Sequence, residues 1–158
     1  FKTGGEEAQG ASTITQQLLK NTVFTDWTSE GNNKIKKIKR KIQEQYLALE
    51  ITKYYSKDEI LLRYMNAINL GQNTLGVESA SLRYFGKHCS ELTISECAVI
   101  ASITQNPSKY NPIRHPEENV KRREKCLNKM LELGFISQTQ YDEAMADTDV
   151  RAYWSVRH

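Results

Sequence analysis

Among the Ser/Thr-x-x-Glu/Gln spacings of this chain, four read as capping boxes, at Thr13–Gln16, Ser56–Glu59, Thr93–Glu96 and Ser137–Gln140. In each, the hydroxyl can accept from the N–H three residues on, while the Glu or Gln side chain reaches back to the N–H of the capping residue. Such boxes mark helix starts and argue against strands, so they constrain the chain to a mainly α fold. The remaining pattern agrees. There are only 3 prolines, and no alternating strand signal longer than Thr22-Val23-Phe24-Thr25.

The boxes and the helical period together predict the elements. Residues 26–33 form a polar loop, and a long helix runs from about Asn33 to Tyr54. Its apolar residues Ile35, Ile38, Ile42, Tyr46 and Leu49 recur at steps of three and four, which is one helical face. A helix from Ser56 reaches about Asn66, and Asn69 to Asn73 is a loop. Val77 to Phe85 is helical and stops at Gly86. Thr93 opens a buried helix, Cys97 to Ile103. Asn106 to Pro116 is a proline-bounded loop, Glu117 to Leu133 a helix ended by Gly134, and Ser137 caps a last short helix.

Length and composition narrow the class. The 158 residues suit one domain with a sizeable core. A net charge of +3 names no partner by itself. Its distribution says more, because Lys34, Lys36, Lys37, Lys39, Arg40 and Lys41 crowd into eight consecutive positions. The aromatic residues are not interleaved with these lysines, which argues against nucleic acid. No apolar run approaches the roughly 20 residues that span a bilayer, and no signal peptide is visible. Cys89, Cys97 and Cys126 show no metal-ligand spacing with each other or with the histidines. Cys97 and Cys126 fall among helical apolar positions and read as small core residues.

Two segments carry candidate chemistry. The first is Gly10-Ala11-Ser12-Thr13-Ile14-Thr15-Gln16-Gln17-Leu18-Leu19-Lys20-Asn21. A helix N-terminus with spare hydroxyls, amides and a following lysine suits a phosphate or sugar hydroxyls. It is equally the description of an ordinary capped helix. The second is the charged helix. At about 100° per residue Lys37, Arg40 and Glu44 share one side, and Leu47, Ala48 and Ile51 continue it. The side is charged at its start and apolar at its end, with Glu44 at the boundary. The bland alternative is an exposed Arg40–Glu44 pair worth about 0.3–0.5 kcal/mol. Tyr54, Tyr55 and Tyr64 read as packing residues, Asn66 and Asn69 as caps, and Lys109, Tyr110 and Asn111 as a structural turn.

These segments resemble the signature motifs of the peptidoglycan glycosyltransferases, the family 51 glycosyltransferase domain of bifunctional penicillin-binding proteins. Gly10–Asn21 is similar to the second motif, Arg40-Lys41-Ile42-Gln43-Glu44 to the third, and Lys57-Asp58-Glu59-Ile60-Leu61-Leu62-Arg63-Tyr64-Met65-Asn66 to the fourth. Gly76–Ser81, Tyr84–Lys87, Glu91–Thr93 and Asn106–Pro112 follow in the family's order. The resemblance runs from about residue 10 to about residue 146. The first motif, an acidic Glu-Asp pair with Phe and His, has no match, and Glu6 and Glu7 lack its context. The resemblance therefore implies an N-terminally truncated domain: residues 1–9 a flexible remnant, 10–146 a partial glycosyltransferase domain lacking its first helices, and 147–158 the start of a linker.

The resemblance implies a lysozyme-like helical fold and an enzyme that polymerises lipid II into glycan strands in cell-wall synthesis. Glu44 becomes the second catalytic glutamate, beside the donor pyrophosphate. Lys20, Lys36, Arg40 and Lys41 become phosphate-facing cations. Ser12, Thr13, Gln16 and Gln17 line the sugar and phosphate subsites. A divalent metal, Mg or Mn, held by Glu44 is an alternative source of positive charge, and no organic cofactor is implied. The expected partners are lipid II, the growing glycan chain, the membrane surface and moenomycin-type inhibitors, with no nucleic acid. The expected location is the outer face of the bacterial cytoplasmic membrane, held by an N-terminal anchor outside this chain. Lacking the first-motif glutamate, the chain alone is expected to be inactive. A lysozyme-like glycan hydrolase and a non-catalytic lipid-pyrophosphate binding module stand as alternatives.

Overall fold

The computed structural model describes residues 12–25 and 33–147, and these are arranged almost wholly as helices. Seven α-helices follow in order among the described residues. They are α1 (Ile14–Thr22), α2 (Lys34–Tyr54), α3 (Lys57–Ala67), α4 (Val77–Phe85), α5 (Ile94–Ile103), α6 (Pro116–Glu132) and α7 (Gln138–Ala146). A short 3₁₀ turn, Cys89–Glu91, lies between α4 and α5. The mainly α expectation holds. The expected remnant 1–9, most of the polar loop 26–33 and nearly all of the linker 147–158 lie outside the described residues.

All four boxes close as their spacing requires. Thr13, Ser56, Thr93 and Ser137 each accept from the N–H three residues on, at 3.2, 3.2, 3.3 and 3.2 Å. The returning contacts from Gln16, Glu59, Glu96 and Gln140 measure 3.1, 2.8, 2.8 and 2.9 Å. Each cap is worth about 0.5–2 kcal/mol. Gly86 ends α4 in the left-handed conformation at φ 69°, its N–H returning to Leu82 and Ser81, where a side chain would be strained. Gly76 starts the same helix at φ 84° with the Asn66 carbonyl oxygen 2.8 Å from where a Cβ would sit.

The chain divides into two compact units, Phe1–Tyr64 and Met65–His158. In the first, α1 packs on α2 and buries Leu18 and Leu19. In the second, α5 packs on α6 and α6 on α7. Its core gathers Ala98, Leu127, Ile136 and Ala144, with Cys126 packed at the edge. Asn111 is buried in the loop before α6, and its Oδ1 accepts from the Ile113 and Arg114 N–H groups at 2.9 and 3.0 Å. That loop is the structural turn its prolines announce.

Several sequence expectations are corrected. Thr22 belongs to α1, with its hydroxyl donating to the Leu18 carbonyl at 2.8 Å, so the Thr22–Thr25 strand signal is not realised. A single β-branched pair cannot override a helix already capped and propagating. The sixth helix begins at Pro116, not Glu117, because proline suits the first helical position, where its missing N–H costs nothing. Cys97 is exposed rather than a core residue, while Cys126 is half-buried. Tyr54 and Tyr55 are also exposed. The apolar face of α2 is solvent-facing rather than packed: it is the opposite face, through Glu44 and Ala48, that is buried.

Candidate functional site

The site lies within the first unit, where the start of α1 meets the middle of α2. The Glu44 side chain is only 1% exposed, although it is a carboxylate. Burying an isolated carboxylate is prohibitive, so it must be paired. Both of its oxygens are. Arg40, 12% exposed and one turn earlier, donates from Nη1 to Oε1. Lys41 donates from Nζ to Oε2 at 2.8 Å. The steps of four and three place both cations over the same carboxylate.

Lys41 also reaches across to α1. Its Nζ donates to the Ser12 Oγ at 3.0 Å, next to the N-cap Thr13. The lysine thereby bridges the second-motif segment to the third. Lys41 remains 46% exposed, so this cation meets solvent while Glu44 does not. The exposed-pair reading of Arg40 and Glu44 fails on burial. Removing one partner of a buried pair costs about 3–5 kcal/mol, against a few tenths for an exposed one.

Gln17 is fixed from two sides. Its Nε2 donates to the Ser12 carbonyl at 3.2 Å, and its Oε1 accepts from the Tyr64 hydroxyl at 3.2 Å. Burial pushes the Tyr64 phenol above its ordinary pKa, so it stays a donor. Tyr64, which sequence reasoning left as packing, is therefore a support for the second-motif segment. A fourth-motif residue 47 positions away in sequence gives no local signal of that contact.

The structure thus joins Ser12, Arg40, Lys41 and Glu44, with Gln17 beside them. Thr13 and Gln16 spend their side chains on the cap of α1. Lys20 lies half-buried in the last turn of α1. Lys36 is exposed and stands two turns before Glu44, about 12 Å along the axis. A magnesium ion is ordinarily held by one or two carboxylates, with waters and substrate phosphates completing its shell. Each Glu44 oxygen is already held by a cation, and among the described residues no group of three or more His, Cys, Asp or Glu converges.

Chemically, two cations face one carboxylate, and the positive end of α1 adds to them. A net positive focus remains for an incoming anion, with serine and glutamine groups beside it.

The family model described as Transglycosylase matches residues 1–131. The chain belongs to the transglycosylase family. Among its relatives is penicillin-binding protein 1A of Clostridium botulinum (strain Langeland), 47% identical over 146 residues, covering 89% of this chain and 17% of that protein. Penicillin-binding protein 1A of Aquifex aeolicus is 43% identical over 141 residues, covering 89% of this chain and 18% of that protein. The crystal structure of penicillin-binding protein 1A from Haemophilus influenzae superimposes with a TM-score of 0.54 at 35% identity, over 60% of this chain and 14% of that one. The chain therefore spans less than a fifth of these relatives' length. The Ser12–Lys41–Glu44–Arg40 cluster lies within the residues that the transglycosylase model matches.

Proposed function

We propose that this chain is part of a peptidoglycan glycosyltransferase, and that the cluster receives the pyrophosphate of a lipid-linked disaccharide. The buried Glu44 with its two cations carries this reading. In the reaction, an acceptor sugar hydroxyl attacks the anomeric carbon of the donor with inversion, and the lipid pyrophosphate departs. Negative charge grows on the leaving oxygen, and fixed cations lower the barrier most when they need not reorganise. Glu44 supplies that fixity. Arg40 and Lys41 are held on its two oxygens, and Lys41 presents an exposed ammonium to the anion. Ser12 and Gln17 offer hydrogen bonds to phosphate or sugar oxygens. Lys20 and Lys36 extend the positive field. The expected setting is the outer face of the cytoplasmic membrane, with phosphoglycolipids of the moenomycin type as competitors for the cluster.

Glu44 is assigned the task of holding cations, not of taking the acceptor's proton, since its carboxylate faces no solvent. The same observation favours a second reading for the chain by itself, a lipid-pyrophosphate binding module without turnover. A glycan hydrolase needs a carboxylate open to water, which Glu44 is not. Gel separation of labelled glycan strands tests both surviving readings. The full-length protein should polymerise lipid II, while the 158-residue chain should bind it without forming polymer. A full-length protein that releases reducing ends from finished glycan and never extends lipid II would overturn the assignment.

A further inference from the structure

We propose that Tyr64 is a positioning residue for the anion site, acting through Gln17 on Ser12. Tyr64 stands on α3, in the same unit as the cluster, and is buried. Its hydroxyl meets the Gln17 Oε1 at 3.2 Å, so its route to Lys41 runs through Gln17 and Ser12. Chemistry fixes the direction of each bond on that route. The Ser12 carbonyl can only accept, so the Gln17 nitrogen must face it, at 3.2 Å. The Gln17 oxygen is then turned toward Tyr64, and the phenol must donate. Burial raises the pKa of that phenol and keeps its proton in place at neutral pH.

Ser12 is the residue that needs this hold. The helical ladder of α1 opens one residue later, with the Gln17 N–H donating to the Thr13 carbonyl at 3.0 Å. The Ser12 carbonyl stands outside that ladder and takes its donor from the Gln17 side chain instead. The Ser12 Oγ accepts from Lys41 Nζ at 3.0 Å, which leaves the serine its own proton to give to an anion oxygen. Tyr64 thus steadies the backbone of a residue whose hydroxyl lies between Lys41 and an incoming anion. Gln17 is long and half-buried. Without a donor at its oxygen it regains rotamer freedom, and Ser12 loses the amide that holds it. Other contacts keep α3 in place when the hydroxyl is removed. Ile60 is buried one turn earlier, and the Arg63 guanidinium lies 4.6 Å from the centre of the Tyr55 ring, at the end of α2. The inference rests on the reading of the cluster as a pyrophosphate site and adds to it a residue from a third helix.

Titration calorimetry of inorganic pyrophosphate against the 158-residue chain, Tyr64→Phe, Gln17→Met and the double variant provides the test. Loss of a neutral hydrogen bond should weaken binding by about three- to tenfold in Tyr64→Phe. Because Tyr64 acts through Gln17, the double variant should bind no more weakly than Gln17→Met alone. In NMR spectra without ligand, the side-chain NH2 pair of Gln17 should move in Tyr64→Phe, a change that a loss of packing elsewhere would not single out. Equal affinity of Tyr64→Phe and the parent, or additive losses in the double variant, overturns the inference. So does a Gln17 amide that stays in place, whatever the melting temperature does. Each of these results leaves the pyrophosphate site standing, because the parent chain still binds. A parent chain that does not bind pyrophosphate overturns the site itself, and this inference with it.

Discussion

Glu44 is the residue on which the account turns, and its behaviour on substitution separates a buried device from a surface ion pair. Glu44→Gln keeps the shape but removes the charge that neutralises Arg40, which is only 12% exposed. Leaving a buried charge uncompensated costs about 3–5 kcal/mol, which for a chain of this size lowers the melting temperature by roughly 6–20 °C. An exposed pair would cost too little to see. Thermal unfolding followed by circular dichroism decides between them, and a shift under about 2 °C would refute the buried reading. Much of this site is legible from residue order, since the phase of α2 alone puts Arg40, Glu44 and Ala48 on one side. The Lys41–Ser12 and Tyr64–Gln17 contacts are not, because they join residues 29 and 47 apart that no local period relates.

At the scale of elements, the helix starts are readable because a capping box is a three-residue arrangement and needs no tertiary partner. Thr93→Ala should therefore destabilise the second unit by about 0.5–2 kcal/mol, measured by urea unfolding with an unchanged slope. No change in midpoint would mean the box is ornamental. The link between α4 and the 3₁₀ turn is of another kind. Glu78 Oε1 meets His88 Nδ1 at 2.5 Å and Oε2 accepts from the Cys89 N–H at 2.9 Å. The Cys89 thiol and N–H, then His88, hold the Glu78 carboxyl down at about 2. Glu78 in turn raises His88 above its ordinary 6.5. A raised histidine adds stability that is complete below 6.5 and disappears as pH climbs through the folded value. The depressed glutamate adds stability present above 4.5 and lost as pH falls toward 2. The link should thus be strongest between about pH 4.5 and 6.5. NMR titration should show His88 above 6.5, returning to its ordinary value in Glu78→Gln; a His88 that titrates the same in both would remove the link. The stripe of α2 shows the limit of pattern reading at this scale. Periodicity finds an apolar face and a charged face, but burial of Glu44 and exposure of the isoleucines invert the usual assignment.

For the molecule as a whole, the two units carry separate duties. The cation cluster is built from residues of the first, while Leu127 anchors the core of the second. Leu127→Ala should cost about 2–5 kcal/mol in unfolding of the second unit through the cavity it leaves. Differential scanning calorimetry should register that loss, and a variant as stable as the parent would mean the core collapses around the gap. The mainly α class and the order of helices are legible in the sequence because caps and periods are local. Cys97 and Tyr54 are not, because exposure depends on which neighbours arrive. The central claim is that Ser12, Arg40, Lys41 and Glu44 form a site for a pyrophosphate-like anion. Titration calorimetry of a moenomycin-type phosphoglycolipid against the parent chain, Lys41→Ala and Lys39→Ala tests it most directly. Lys41 is the solvent-facing cation of the cluster, while Lys39 lies on the apolar side of α2. A charge-assisted hydrogen bond is worth about 1.5–3 kcal/mol, so Lys41→Ala should weaken binding by roughly tenfold or more, and Lys39→Ala by less than about twofold. Equal affinities for the two variants would contradict the account.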